Sequence, residues 1–533
     1  MTEIQPKNNT KRNRLNFDSR WLIVLVIAIA VVMTTVKLND SNKDSTMESI
    51  TSTVDVDNGD QKINWDKYST RTIELSETIT IAESGIYYLT GSIDDGYINI
   101  NVNNGVVKLI LNNVSITNST GPAIHCINAD DLVIELVGNN RLSDGQSYSN
   151  EFDEDVTGVV YSKADLTFEG DGSIEIIASF EDGIVGKDDV KFNSGKYTIK
   201  SEDDAIRGKD SVYIIAGDFT IDAKADGIKS TNETDQGKGF IMIEDGNLNI
   251  TAQSKGIKAP NNILIYGGDY TINSKDDAIH SNGYIGIKEG IININSKDDG
   301  MHADKELVVD GGSVMIALAY EGLEAQKITI NDGKISLVTT DDSINAGGGA
   351  DSSANNRPGA GAFDADENCM IVINGGEIYI NAAGDGVDSN GWVYFNGGKV
   401  IVDGPTNNGN GALDSGMGIV MNGGEVIAIG SSGMVETLGE SSTINNISIS
   451  LSQVQAAKTK IEIKNSNGDI VIEHTSAKTF SNITAGSAKF EIGEKYELYL
   501  NDELSQSFTI SGVTTTSGNN RMDRFIPSNQ RNN

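Results

Sequence analysis

A short motif, in which an acidic residue is followed by a small and then an apolar residue, recurs every 22 positions through the middle of the chain. Clear copies are Asp203-Asp204-Ala205-Ile206 and Asp276-Asp277-Ala278-Ile279. The second acidic positions of neighbouring copies differ by 204 − 182 = 22, 226 − 204 = 22 and 299 − 277 = 22 residues. Degenerate copies at Lys255 and Glu321 keep the spacing, with 277 − 255 = 22 and 321 − 299 = 22. A fixed period of this size indicates one repeated structural unit.

Each period also holds a glycine turn between short apolar strands. In residues 263–272, Ile263-Leu264-Ile265 and Tyr270-Thr271-Ile272 flank Gly267-Gly268. Three such strands in about 22 residues predict an all-β fold, a parallel β-helix with coils stacked about 4.8 Å apart. A leucine-rich repeat has a similar period, but its Leu-x-x-Leu-x-Leu frame is absent. Insertions at residues 230–239 and between Asp342 and Asp385 are expected to form loops on one face.

The N-terminal region is predicted to be a membrane anchor. An apolar run at residues 21–36 follows several Lys and Arg residues, and its length is near the minimum that spans ~30 Å of hydrocarbon. The basic flank places the body outside the cell, in a single-pass protein of the cell membrane. Ala28-Ile29-Ala30 also resembles a signal-peptide cleavage site, so secretion after cleavage is the alternative. Neither reading changes the prediction that the body is exported.

The rest of the chain divides by composition, with a polar stalk after the apolar run and a small β module or cap after the repeats. The predicted segments are a basic cytoplasmic segment (1–20), the transmembrane or signal anchor (21–38), the stalk (39–62), the parallel β-helix (63–450), the module (451–515) and a disordered tail (516–533).

The charge balance excludes one class of partner. The chain has 41 Lys+Arg against 76 Asp+Glu and a net charge of −35. Nucleic acid is therefore not an expected partner, because phosphate binding needs a basic face. The two cysteines, Cys126 and Cys369, are too few for a disulfide framework and lack metal-ligand spacing.

Stacking the repeats has an electrostatic consequence. Two carboxylates ~5 Å apart repel by about 3 kcal/mol at an effective dielectric of 20, so a column of them needs cations or donors. Three residues after the second acidic position lies a basic column, which is replaced further on by Glu324, Asn345 and Asp388. Acids without basic neighbours in an exported protein favour calcium. The basic column comprises Arg207, Lys229, Lys258, His280 and His302.

Simpler interpretations remain open for individual residues. Asp at turn positions often only caps the backbone through its side-chain oxygens. His280 and His302 are expected to be exposed members of the basic column rather than zinc ligands, because their neighbours are carboxylates. Trp392 lies in the one visible aromatic cluster with Tyr394 and Phe395, although strand alternation turns half of such residues inward.

Several segments resemble a known family, the calcium-containing β-helix proteins of anaerobic bacteria described as carbohydrate-binding domain-containing proteins. The similar segments are residues 201–210, 296–304, 320–325, 346–351 and 385–391. The resemblance implies a right-handed β-helix like that of pectate lyases, calcium held by repeat carboxylates, and binding of cellulose or an acidic, polygalacturonate-like polysaccharide. It also implies calcium ligands at Asp203, Asp204, Asp226, Asp276, Asp277, Asp298, Asp299, Asp341, Asp342 and Asp385. Lys255 departs from the pattern and interrupts the column.

Three functions are compatible with these features. A catalytic group should be unique, whereas the same acidic and basic residues recur in most coils, so we favour non-catalytic polysaccharide binding. Contact with the sugar is expected from Arg207, Lys229, Lys258, His280, His302 and Trp392. The alternatives are a calcium-dependent polysaccharide lyase, in which Arg207 or Lys229 would act as the base, and a structural surface adhesin.

Overall fold

The computed structural model describes residues 63–347 and 365–518. A 3₁₀ helix at Trp65–Lys67 precedes a series of short strands that wind into a parallel β-solenoid of about 15 turns, with coils of about 22 residues. This confirms the predicted all-β class and the repeat.

The first half of the solenoid contains twenty strands. They are β1 (Thr70–Leu75), β2 (Ile79–Ile81), β3 (Gly85–Ile93), β4 (Ile98–Asn101), β5 (Val106–Asn112), β6 (Ser115–Asn118), β7 (Ile124–Asn128), β8 (Asp131–Val137), β9 (Asn139–Asp144), β10 (Gly158–Ser162), β11 (Asp165–Glu169), β12 (Ser173–Ala178), β13 (Asp182–Gly186), β14 (Asp189–Phe192), β15 (Lys196–Ser201), β16 (Ile206–Gly208), β17 (Ser211–Ile214), β18 (Asp218–Ala223), β19 (Ile228–Ser230) and β20 (Phe240–Ile243).

The second half continues the same pattern on both sides of the gap at 348–364. Its strands are β21 (Asn247–Ala252), β22 (Ile257–Ala259), β23 (Asn262–Ile265), β24 (Asp269–Asn273), β25 (Ile279–Ser281), β26 (Tyr284–Ile287), β27 (Ile291–Asn295), β28 (Met301–Val309), β29 (Ser313–Ala319), β30 (Leu323–Ile330), β31 (Lys334–Thr339), β32 (Ile344–Ala346), β33 (Met370–Ile373), β34 (Glu377–Ala382), β35 (Val387–Ser389), β36 (Trp392–Phe395), β37 (Lys399–Asp403), β38 (Leu413–Ser415), β39 (Gly418–Met421) and β40 (Glu425–Gly430).

Each coil pairs in parallel register with the next, so that equivalent residues lie directly over one another. Lys196 of β15 pairs with Asp218 of β18, 22 residues later. Inward positions are filled by aliphatic residues such as Ile199 and Ile221, which are at most 2% exposed. Burying each such side chain contributes about 1.5–3 kcal/mol. The alternation of apolar and polar residues in the strands thus fixes which face of each coil is the core.

Glycine is required at the turn between two of the three strands of a coil. Gly268 has φ 96°, and a Cβ there would lie 2.7 Å from the carbonyl oxygen of Gly246 in the preceding coil. Only glycine fits a left-handed backbone conformation this close to another backbone.

The C-terminal strands close the solenoid. They are β41 (Asn446–Gln455), β42 (Lys460–Asn465), β43 (Ile470–Thr475), β44 (Phe480–Ser487), β45 (Lys495–Leu500), β46 (Glu503–Thr509) and β47 (Thr514–Gly518). Strand β44 pairs antiparallel with β40 and β41, and β47 extends the same sheet. The other four strands form a separate antiparallel sheet in the order β43-β42-β45-β46. The predicted boundary between residues 450 and 451 therefore lies inside β41, and pairing with β44 covers the open edge of the last coil.

No helix within the described ranges is long and apolar enough to cross a bilayer. The predicted anchor at residues 21–38 lies outside those ranges, as do most of the stalk and tail. Cys126 and Cys369 are free thiols and fully buried.

Candidate functional site

One outward row of residues runs through the paired strands from coil to coil and carries most of the recurring charges. We call it the charge row, and the row three residues earlier the ladder row. The charge row is in continuous register through Val185, Arg207, Lys229, Lys258, His280, His302, Glu324, Asn345, Asp388 and Asp414. The ladder row is Asp182, Asp204, Asp226, Lys255, Asp277, Asp299, Glu321, Asp342 and Asp385.

The ladder-row carboxylates bind the backbone of the following coil. Oδ1 of Asp182 accepts a hydrogen bond from the Asp204 amide at 3.1 Å, and Asp204 accepts from Asp226 at 3.0 Å. Asp277 and Asp299 repeat the contact at 3.1 Å each, onto the amides of Asp299 and Glu321. Leaving such a buried amide without a partner costs about 1–3 kcal/mol. Backbone capping and stacked charge are therefore both present in the same side chains.

In the middle coils, cations of the charge row neutralise the second carboxylate oxygen. Lys229 Nζ lies 3.0 Å from Oδ2 of both Asp204 and Asp226. The Arg207 guanidinium lies 2.5 Å from Asp182 Oδ2, and also donates to Thr157. Burial raises the pKa of Asp182 to about 6 despite the charge of Arg207. The basic column predicted beside the acids thus binds them directly.

Lys255 replaces an acid in the ladder row and reverses its role. Its side chain is only 8% exposed, and its ammonium lies 2.8 Å from Asp276 and 2.7 Å from Asp277. Burial opposes ionisation of Asp277, but hydrogen bonds from His280 and Lys255 outweigh it and hold the pKa of Asp277 well below its usual range. The predicted interruption of the column is therefore an internal counter-ion.

The expectation that the two histidines are exposed is wrong. His280 is 6% exposed and His302 is 0% exposed, and their rings stack with centroids 4.9 Å apart. His280 Nδ1 lies 2.7 Å from Asp277. The ladder-row carboxylates draw both rings inward, because each histidine lies three residues after an acid that it can contact. His302 therefore presents no surface to a ligand, and His280 presents little.

Beyond His302, acids of both rows lie together, and no cation of the described residues pairs with the group they form around Asp342. Asp342, Asp385 and Asp388 place carboxylate oxygens within 4.8 Å of one another. Within residues 63–347 and 365–518, no Lys, Arg or His forms an ion pair with these three. Burial, together with repulsion from neighbouring acids, raises the pKa of Asp342 to about 8, of Asp385 to about 6 and of Asp388 to about 7.

A glycine makes room beside this acidic group. A Cβ on Gly384 would overlap Oδ1 of both Asp341 and Asp342. The Asp342 carboxylate also accepts the Asp385 amide at 2.5 Å, and Asp385 accepts the Gly411 amide. These contacts fix the position of the Asp342 and Asp385 carboxylates within the group.

Eight of the ten residues implied as calcium ligands lie in such groups. Asp203 and Asp204 group with Asp182, Asp276 and Asp277 with Asp298, Asp299 with His302 and Glu324, and Asp342 and Asp385 with Asp388. Asp226 and Asp341 belong to none of the groups found among the described residues.

The calcium ligands implied from sequence did not include Asp182, Glu324 and Asp388, although all three lie in the ladder row or the charge row. Sequence reasoning also missed a separate group of Asp165, Asp188 and Asp189 on another corner of the coil, for which the acidic pair Asp188-Asp189 was the signal.

The remaining residues expected to contact sugar differ in availability. Arg207 and Lys229 are engaged by the ladder, whereas Lys258 forms no ion pair with any described residue. Trp392 is half-buried on the outer face of β36 and stacks on Tyr394 with centroids 6.0 Å apart and planes at 26°. Phe395 points into the core and is 0% exposed, as alternation predicts.

Comparison with known proteins gives a consistent description. A family model described as "Carbohydrate-binding domain-containing protein" matches residues 76–322 and 261–357, together more than half of the chain. A protein of that name from Acetivibrio thermocellus is 28% identical over 186 residues, which cover 33% of this chain and 65% of the relative. The chain thus spans just under two thirds of that relative's length.

A solved structure described as a polysaccharide lyase-like protein from C. thermocellum, a gadolinium derivative, is 26% identical. It covers 43% of this chain and 97% of its own, with a TM-score of 0.37. A TM-score of this size does not establish a common overall fold. The family match does not depend on it, and the chain belongs to the carbohydrate-binding domain-containing protein family.

Proposed function

We propose that this chain is an exported, calcium-dependent polysaccharide-binding protein whose ligand is an acidic, polygalacturonate-like glycan. The match to the carbohydrate-binding family supports a polysaccharide as the ligand. The observation that supports a calcium site is the group of Asp342, Asp385 and Asp388. Their carboxylate oxygens lie within 4.8 Å of one another, and none of the three has a basic partner among the described residues.

The donor set suits a calcium ion. Calcium takes six to eight oxygen ligands, with carboxylates and water as its usual partners. Asp342, Asp385 and Asp388 would hold the ion, and the space kept open by Gly384 brings Asp341 beside them. When bound, calcium would neutralise these acids and offer further coordination positions to a uronate carboxylate.

Calcium would also remove an electrostatic obstacle. A chain with a net charge of −35 repels a polyanionic glycan at long range. Lys258, without an ion pair among the described residues, would add a cation for the sugar. Trp392 follows Asp388 by four residues in the same coil and offers an aromatic ring to a sugar face. His280 and His302 have no place in this surface.

The lyase alternative requires a free base. Arg207 donates to both Asp182 and Thr157, and Lys229 is shared between two aspartates. Either group would have to leave its carboxylates before it could take a proton from substrate. This geometry favours binding over catalysis. Display at the cell surface through residues 21–38, or secretion after cleavage, completes the proposal.

Binding of polygalacturonate and of cellulose to the purified chain, with calcium and with a chelator, tests this function. We expect polygalacturonate binding that is lost with chelator and weakened at least tenfold by Asp342→Asn with Asp385→Asn. Asp269→Asn, a single exposed acid at the start of β24, is the control for loss of charge and should bind normally.

Three outcomes would contradict the proposal. Polygalacturonate binding that survives both the chelator and the double variant would show that calcium has no role in binding. Cellulose binding lost only in Trp392→Ala would instead assign a neutral glucan to the Trp392–Tyr394 pair. Release of unsaturated uronides, followed by ultraviolet absorbance, would make the protein a lyase.

A further inference from the structure

The charge row changes from cations to acids between His302 and Glu324, and a mixed nitrogen and oxygen donor set lies at that point. His302 Nδ1 lies 2.5 Å from Glu324 Oε2 and 3.5 Å from Asp299 Oδ2. The side chains of His302, Glu324 and Asp299 are 0%, 10% and 3% exposed, respectively. Two buried carboxylates therefore face the same ring nitrogen, which can carry only one proton.

The other ring nitrogen is already held. His302 Nε2 lies 3.1 Å from Asp304 Oδ1. Histidines that bind metals almost always donate their second N–H to a carboxylate or carbonyl, which fixes the tautomer and leaves the first nitrogen free to coordinate. His302 has this arrangement, with Nδ1 directed at Asp299 and Glu324.

Charge around the ring is unbalanced. Asp299, Asp304 and Glu324 surround one imidazole, and Glu321 donates its amide to Asp299 from the ladder row. No Lys or Arg in the part of the chain that the structure describes forms an ion pair with these four acids. Even a protonated His302 leaves the two buried carboxyl groups of Asp299 and Glu324 with one positive charge, and unpaired buried charge is costly.

A second, independent observation lies in the next coil. Asn345, which pairs with Glu324 along the charge row, donates Nδ2 to Glu321 at 2.8 Å. Its Oδ1 is buried and has no hydrogen-bond donor among the described residues. The coil next to Glu324 therefore holds a further polar atom without a partner in that part of the chain.

We infer that Asp299, His302 and Glu324 form a site for a divalent transition-metal ion of the zinc class, separate from the calcium site proposed above. In a tetrahedral zinc site, ligand atoms lie about 3.4 Å apart. The separation of His302 Nδ1 from Asp299 is already 3.5 Å, and Glu324 has to move by roughly 1 Å. An imidazole nitrogen in the set disfavours calcium, which takes oxygen ligands. Water or Glu321 would complete the coordination.

The test uses the purified full-length chain, without an affinity tag, after chelator treatment. Titration with Zn²⁺ and the visible spectrum with Co²⁺ report binding and ligand type independently of any sugar. We expect one Zn²⁺ bound, and Co²⁺ bands of a nitrogen- and oxygen-ligated ion without thiolate charge transfer. Circular dichroism checks that each variant keeps its strand content.

Matched variants separate this site from its neighbours. His302→Gln and Glu324→Gln should each weaken Zn²⁺ binding more than tenfold, and Asp304→Asn by 10–100-fold through loss of the orienting hydrogen bond. His280→Gln is the control, because His280 stacks on His302 in the same row but lies outside the donor set. Asp342→Asn with Asp385→Asn should keep zinc binding while losing calcium, so failure of one proposal is distinguishable from failure of the other.

The inference is overturned if the wild-type chain binds no Zn²⁺. It is also overturned if His302→Gln and Glu324→Gln bind as tightly as wild type, or if Co²⁺ shows thiolate charge transfer that places the ion at Cys126 or Cys369. Equal losses in His280→Gln and His302→Gln would indicate a structural effect of the stacked rings and would contradict a defined donor set.

Discussion

The charge row has two halves that the same repeat builds in opposite ways. From Arg207 to His302 the charge row carries basic residues. All of them except Lys258 contact ladder-row acids, whose carboxylates also accept hydrogen bonds from backbone amides. From Glu324 to Asp414 the row carries acids and one amide, and the pKa of Asp342 and Asp388 is raised by burial and mutual repulsion. The backbone is alike in both halves. An identical scaffold can therefore be neutralised internally in one stretch and left to bind an external cation in another.

The largest expected effect is loss of the internal counter-ion in the first half. Lys255→Met should lower the free energy of unfolding by about 3–5 kcal/mol, because it leaves the buried Asp277 without its lysine counter-ion. Urea denaturation measures the change. Lys258 lies in the charge row and forms no ion pair with the described residues. Lys258→Met should therefore change the free energy of unfolding by no more than about 0.5 kcal/mol. Similar losses in both variants would show that the row is not organised by these pairs.

The same chemical change should have opposite signs in the two halves. Asp277→Asn should destabilise the protein by roughly 3 kcal/mol, because the charged form is held by His280 and Lys255. In calcium-free protein near pH 9, Asp342→Asn should stabilise by about 1–2 kcal/mol, since it removes a charge that burial and three acids disfavour. Thermal unfolding of both variants in the same buffer gives the comparison. If Asp342→Asn destabilised the calcium-free protein, the two parts of the rows would not differ in the way proposed.

The space beside the acidic half can be closed by one methyl group. Gly384→Ala would push a Cβ into the carboxylates of Asp341 and Asp342, and should weaken calcium binding about tenfold, or about 1.4 kcal/mol. Calorimetric titration with Ca²⁺ measures the affinity. Gly409→Ala, at an exposed loop glycine with negative φ, is the control. Unchanged affinity in Gly384→Ala would place calcium elsewhere.

The smallest effect is the pH dependence that Asp342 contributes. The pKa of Asp342 is raised to about 8, facing Asp341, Asp385 and Asp388. Such a group contributes stability that is fully present below its ordinary pKa of about 4 and is lost as pH rises through about 8. Calcium-free protein should therefore lose stability between about pH 5 and pH 9, and calcium binding near pH 7 should release protons.

Calorimetry in two buffers with different ionisation enthalpies measures this release. Asp342→Asn should reduce it, while Asp204→Asn, in the neutralised half, should leave it unchanged. A calcium enthalpy that is the same in both buffers would contradict the raised pKa.

Much of the architecture followed from sequence, for a physical reason. A 22-residue period with apolar alternation leaves few ways to bury every strand, and stacking of equivalent positions then brings distant residues such as Asp204 and Asp226 together. The same logic placed Arg207 and Lys229 beside the acids. It named Glu324 and Asp388 as positions where the basic column ends but did not place them with the ladder-row acids as ligands, because spacing alone does not show that carboxylates of the two rows meet.

Other features depended on distances that no repeat specifies. Whether His302 lies exposed or buried between Asp299 and Glu324 depends on side-chain lengths across two coils, and the sequence-based expectation was wrong. The C-terminal strands also alternate between two sheets in a way that local alternation does not reveal, because pairing of β44 with β40 is decided by the open edge of the last coil.

Sequence alone determined the period, the core and the order of charges along the coils, since these are properties of spacing. Tertiary structure decided which carboxylate oxygen binds a backbone amide, which binds a cation and which has neither. Those assignments depend on differences of about an ångström between stacked side chains, and in a buried environment such differences set both the charge and its partner.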